Sequence, residues 1–143
     1  MKLVRILLGL MVSAYGVGLL VAVLNISAFK LGLMHQVKPH ALRLVPLWEA
    51  TPVWALVVWA LGVTLMLGAG VQLFRGRPAF RLFVAAFVTI AGLWWAYRGL
   101  PQFQQVFSEM EQRSDYYILS VMLLIGAGVW LVDHPLPRRS SPA

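Results

Sequence analysis

Polar residues are so sparse along most of the chain that its pattern shows neither the alternation of a half-buried strand nor the single stripe of a surface helix. Four apolar runs cover residues 3–24, 53–74, 79–97 and 116–132. A hydrocarbon core about 30 Å thick takes roughly 20 helical residues. The first two runs reach that length outright. The third carries Arg81 near its start, whose long stem can lift the guanidinium to the interface. The fourth is shorter, and Asp115 and Asp133 bracket it. The pattern predicts an all-α integral membrane protein, a four-transmembrane-helix bundle. It forms a single domain over residues 1–134, with 135–143 as a flexible tail.

The first run has a competing reading. Lys2 and Arg5 resemble the basic start of a signal peptide, and Val12-Ser13-Ala14 has the form of a cleavage site. The apolar run, however, continues well past the roughly 7–15 residues of a signal core. A retained first helix is expected.

The connections set the orientation. With the N-terminus inside, one side holds Lys2, Arg5, Arg75, Arg77, Arg81, Arg138 and Arg139, opposed by Asp133 alone. The other holds Lys30, Lys38, Arg43, Arg98 and Arg113 beside Glu49, Glu109, Glu111 and Asp115. Short, densely basic segments stay cytoplasmic. Both termini are therefore expected in the cytoplasm, with the chain a multi-pass protein of a bacterial inner membrane. The segment "FRGRPAFR" (74–81) reads as a tight cytoplasmic turn broken by Gly76 and Pro78. Its arginines Arg75, Arg77 and Arg81 resist translocation and lie within reach of anionic headgroups. Trp48, Trp54, Trp94, Trp95, Tyr97, Tyr116 and Tyr117 fall at the outer interface, where amphipathic rings prefer to sit, and Trp130 falls at the inner one.

Both outer connections carry apolar residues that a freely solvated loop would not. In the first, Pro39 and Pro46 bound "PHALRLVP", expected at the membrane surface, while residues just after 24 continue the first helix. In the second, Leu100, Phe103, Val106, Phe107 and Met110 recur at spacings of three and four. Pro101 suits a first helical turn, so one short interfacial helix is expected there. Its apolar face could rest on lipid, cover the mouth of the bundle, or dock a partner.

Composition narrows the chemistry. Charged residues make up 12% of the 143, about half the usual share for a soluble domain. The net charge of +7 is dispersed among apolar runs rather than gathered on a polar face, so nucleic acid is not an expected partner. There is no cysteine, which removes disulfides, thiolate metal sites and thiol redox chemistry. His35, His40 and Glu49 are the one candidate metal constellation, and they lack a fixed helical spacing. No cofactor is expected. Past their terminal turns the four runs contain no Asp, Glu, Lys, Arg or His, the groups that proton relays and ion-coupled transport use. Small residues are plentiful instead: Gly9, Ser13 and Gly16 in the first helix, Gly62, Gly68 and Gly70 in the second, Gly126 and Gly128 in the fourth. In the third, Ala85 with Thr89 and Gly92 with Ala96 have small-xxx-small spacing. Such residues let helix backbones approach closely in lipid.

The stretch "VRILLGLMVSAYGVG" (4–18) and the stretch "LGVTLMLGAGVQLFRGRPAFRLFVAAF" (61–87) resemble DoxX-like proteins, small four-helix bacterial membrane proteins. The likeness rests on an early arginine followed by glycines in the first helix and on a short basic turn between the second and third. It covers about a third of the chain and implies architecture rather than one activity.

The expected function is non-enzymatic: an accessory, assembly or scaffolding subunit of a membrane complex, partnered by another membrane protein or by itself, with the face of Phe103, Phe107 and Met110 and the Pro39–Trp48 segment as its contact surfaces. A carrier or channel for a lipid or small neutral molecule is the first alternative, and an interfacial metal enzyme the second. The orientation can be tested directly, since a lone cysteine introduced into this cysteine-free chain reports its own side. Pro78→Cys should react with an impermeant maleimide only after cells are opened, and Gln105→Cys should react in intact cells; the reverse pattern would invert the topology.

Overall fold

The computed structural model describes residues 1–107 and 109–134, with the side chains of 109, 110 and 112 set aside. The tail expected over 135–143 and the side chain of Met110 therefore lie outside the described residues. The described chain is helical throughout its ordered elements. Helix α1 (Lys2–Lys30) is followed by a 3₁₀ turn (Pro39–Leu44), α2 (Val45–Ala50), α3 (Val53–Phe74), α4 (Phe80–Arg98), α5 (Pro101–Val106) and α6 (Glu109–Asp133). Four of these, α1, α3, α4 and α6, are long and apolar enough to cross a membrane.

One span outruns its apolar core. α1 has 29 residues and so measures about 44 Å, well beyond the hydrocarbon thickness. Its polar Asn25 and Ser27 are carried inside the helix rather than ending it. It stops where Gly32 adopts φ 68 and the amides of Gly32 and Leu33 bond back to Phe29 and Ala28. The same arrangement ends α3: Gly76 has φ 69, and Gly76 and Arg77 bond back to Leu73 and Gln72. A left-handed glycine after the last turn recaptures carbonyls that a helix end otherwise leaves open. The turn expected at "FRGRPAFR" is thus built by Gly76.

One expectation is corrected. The periodic stretch from Leu100 to Met110 does not form a single helix, because Phe107 is extended (φ −108, ψ 126) and separates α5 from α6. The break lets the rings of Phe103 and Phe107 meet at 4.7 Å, both against the bundle.

The small residues do much of the helix packing. A side chain at Gly70 of α3 would collide with Ser13 of α1, one at Gly16 would come within 2.8 Å of Leu67, and one at Gly62 within 2.8 Å of Ile90 of α4. Gly126 and Gly128 of α6 receive Phe83 of α4 and Leu8 of α1. The third span is different. Its inward face is Phe83, Ala86, Ile90, Leu93 and Tyr97, so Ala85, Gly92 and Ala96 face outward and Gly92 meets nothing.

At the end holding Lys2 and Asp133, one acid gathers three elements. Asp133 Oδ2 accepts the backbone N–H of Ala79 at 2.7 Å and of Phe80 at 2.8 Å, capping α4. Arg5 Nη1 lies 3.4 Å from Asp133 Oδ1, with side-chain exposures of 19% and 2%. The same guanidinium donates to the carbonyls of Val132 at 2.8 Å and Arg77 at 3.1 Å. An anion in the last turn of α6 is disfavoured by that helix's own dipole, and the N-terminus of α4 reverses the sign. Asp133→Ala should cost about 3 kcal/mol in detergent unfolding, since it strands Arg5 and two amides. Asp133→Asn should cost less, because its amide oxygen still accepts from α4. Equal losses for the two variants would show that the charge, not the cap, carries the effect.

Candidate ligand-binding cavity

Away from that knot, α6 is less closely covered. Met122, Ile125, Val129 and Val132 are buried, whereas 116–121 are exposed. A cavity of about 270 Å³ lies between α1, α3, α4 and α6 at this level. Its walls are mainly rings and aliphatic chains: Tyr15 and Leu19 of α1, Trp59 and Met66 of α3, Phe87 and Trp94 of α4. Asp115 and Leu119 of α6 close one side. A second cavity of about 370 Å³ lies beneath α2, reaching Asn25 and Thr51. Trp59, Trp94 and Tyr97 line both, so these three side chains form a shared wall.

The two outer segments cover this end. Phe103 is completely buried, its ring edge-on to Trp94 at 5.3 Å, with Phe107 at 6.1 Å from the same indole. Trp48 of α2 packs on Phe29 of α1 at 5.5 Å. Thr51 ties α2 to α4: its hydroxyl donates to the Leu47 carbonyl at 2.8 Å and accepts the Tyr97 hydroxyl at 2.9 Å. Arg43 and Glu111 join the rims of the two segments at 2.6 Å. Of the three placements open to the Leu100–Met110 apolar face, Phe103 and Phe107 take the one that covers the bundle.

Polar groups of the first cavity collect near Asp115. Its Oδ2 accepts the Trp94 indole N–H at 3.1 Å and lies 3.9 Å from Arg98 Nε. The Arg98 guanidinium also sits 5.9 Å from the Trp95 ring and 5.3 Å from that of Tyr116, within cation–π range. The Tyr15 hydroxyl makes no hydrogen bond among the described residues. The Trp59 indole N–H is buried and has no acceptor among the described residues.

The other expected site residues are dispersed. His35, His40 and Glu49 are all exposed, and among the described residues no group of three His, Asp or Glu is close enough to hold a metal. Arg75, Arg77 and Arg81 are exposed at the opposite end of the bundle. Tyr15, Trp59 and Asp115 were not legible as a group, because they come from three helices. Their one signal was position: Tyr15 and Trp59 put polar-tipped rings inside the spans rather than at the interfaces. No family model, curated protein or solved structure is similar to this chain at a significant level.

Asp115 holds α6 to α4 at the mouth of the cavity. Asp115→Ala should loosen the start of α6 at a cost of about 1–3 kcal/mol, the penalty for stranding hydrogen-bonded partners. Hydrogen exchange should then rise over 113–121 and stay unchanged over 122–133. Uniform protection along α6 would show that the contact does not hold this segment.

Proposed function

We propose that this four-span membrane protein is a binding protein or carrier for small, mainly apolar molecules that enter from the bilayer. The supporting observation is the cavity of about 270 Å³ between its spans, lined mainly by rings and aliphatic side chains, with Asp115 on one wall. Ligand sites have this character: apolar walls that supply affinity and a few placed polar groups that orient the guest. No charge has to cross the spans, in keeping with their lack of ionisable residues beyond the ends. Of the two contact surfaces expected of an accessory subunit, the Phe103 and Phe107 rings face the bundle, while the Pro39–Trp48 segment keeps Pro39, His40, Leu42, Arg43 and Pro46 exposed. The exposed arginines of the 74–81 turn are read as cytoplasmic and in contact with anionic headgroups.

Native mass spectrometry of protein extracted from its own membranes in mild detergent tests the proposal. The wild type should retain a small molecule. Ala91→Phe, which adds a ring at the cavity wall, should lose it while keeping its unfolding temperature within a few degrees. A hetero-complex with an empty cavity would instead return the accessory-subunit reading.

A further inference from the structure

The turn between α3 and α4 is a fixed frame that carries free charge. Its backbone is tied on both sides. The amides of Gly76 and Arg77 bond back to α3, the Arg77 carbonyl accepts Arg5 Nη1 at 3.1 Å, and Asp133 holds the amides of Ala79 and Phe80. On this frame Arg75, Arg77 and Arg81 are exposed, and their side chains make no hydrogen bond or ion pair among the described residues. The one acidic side chain near them among the described residues, Asp133, is 2% exposed and already faces Arg5. Three guanidinium groups within seven residues therefore lack a counter-charge from the described chain.

A second feature starts from the same place. Arg81, Ala85 and Gly92 follow one another at spacings of four and seven, so they share one face of α4. That face points out of the bundle: Ala85 and Gly92 are exposed, and a side chain placed at Gly92 would meet nothing within 4 Å. Val84 and Val88 stand exposed along one edge, which makes the small residues a shallow track. From Arg81 to Gly92 it runs about 16 Å, close to half of a hydrocarbon core about 30 Å thick and so the depth of one leaflet. The geometry points to a site for one anionic phospholipid, with its phosphate on Arg77 and Arg81 and an acyl chain along Ala85 and Gly92. The guanidinium fork matches phosphate oxygens. The track adds apolar contact that a free phosphate cannot use. This site is separate from the cavity, and it goes beyond the attraction of any basic turn for headgroups because it holds one lipid in one place.

Native mass spectrometry of the full chain tests this with two lipids of identical acyl chains, phosphatidylglycerol and phosphatidylcholine, added to detergent micelles. The wild type should retain one phosphatidylglycerol, with about tenfold preference over phosphatidylcholine. Arg77→Gln combined with Arg81→Gln should erase that preference. Lys38→Gln combined with Arg113→Gln removes the same charge from exposed positions at the other end and should leave it intact. Gly92→Leu fills the track and should weaken retention several-fold. Should the arginine variant fail to fold, the wild-type ratio and Gly92→Leu decide. Equal retention of the two lipids by the wild type would overturn the site. A preference lowered alike by both charge pairs would also overturn it, by reducing it to net charge. Unchanged retention in Gly92→Leu would remove the acyl chain from α4 and overturn the track. Displacement of the lipid by millimolar glycerol 3-phosphate would make a free phosphate the occupant and overturn the lipid. Each of these outcomes leaves the proposed cavity function standing.

Discussion

The arrangement depends first on the ion pair between Arg5 and Asp133. In a bilayer the hydrophobic effect does not draw helices together, because lipid tails are as apolar as leucine. Close packing can hold two spans, as Gly70 against Ser13 does for α3 and α1. It does not by itself bring the last span back to the first. Asp133 does so by binding the N-terminal amides of α4 while facing Arg5 of α1. Three spans and the 74–79 turn meet at one carboxylate. Asp133 Oδ1 accepts no hydrogen bond among the described residues and faces the guanidinium at 3.4 Å, where Coulomb attraction compensates it.

The opposite end follows a different rule. There the long-range ties include the half-buried Asp115 with Trp94 and Arg98, the buried Tyr97–Thr51 hydrogen bond, and the exposed Arg43–Glu111 pair, which is worth little in water. Rings replace ions as the filling, with Trp59, Trp94, Tyr97, Phe103 and Phe107 meeting edge-on or tilted rather than interlocking like glycine and leucine. Flat, bulky side chains at oblique angles leave gaps that methyl groups would close. A bundle clamped at one end and ring-filled at the other therefore has its free volume where α6 begins.

The sequence showed the spans because composition alone determines them: no soluble fold tolerates four such runs. It also showed where α3 turns, since Gly76 is the residue able to take the left-handed cap before Pro78. It did not show which face of each span turns inward. In α4 the small-residue spacing pointed to Ala85 and Gly92, whereas Phe83 and Ile90 are buried, because periodicity in an all-apolar helix hardly distinguishes its sides. Asp133 read as a span boundary for the same reason. Its partners are 54 and 53 residues away at Ala79 and Phe80, and no local pattern announces a cap supplied by another helix.

The cavity was illegible for a related reason: its polar side chains come from separate spans. Hydroxyls in the spans satisfy themselves on their own helices: Thr64 on Ala60, Thr89 on Ala85, Ser120 on Tyr116, each at 2.8 Å. An indole cannot do this, because its N–H is carried too far from its own backbone. Trp94 solves the problem with Asp115, a residue of another span. Trp59 lies in the wall between two cavities, where no carboxylate or carbonyl of the described residues reaches it. Tryptophan there adds ring area that phenylalanine could nearly match, together with a donor that the protein itself leaves unused.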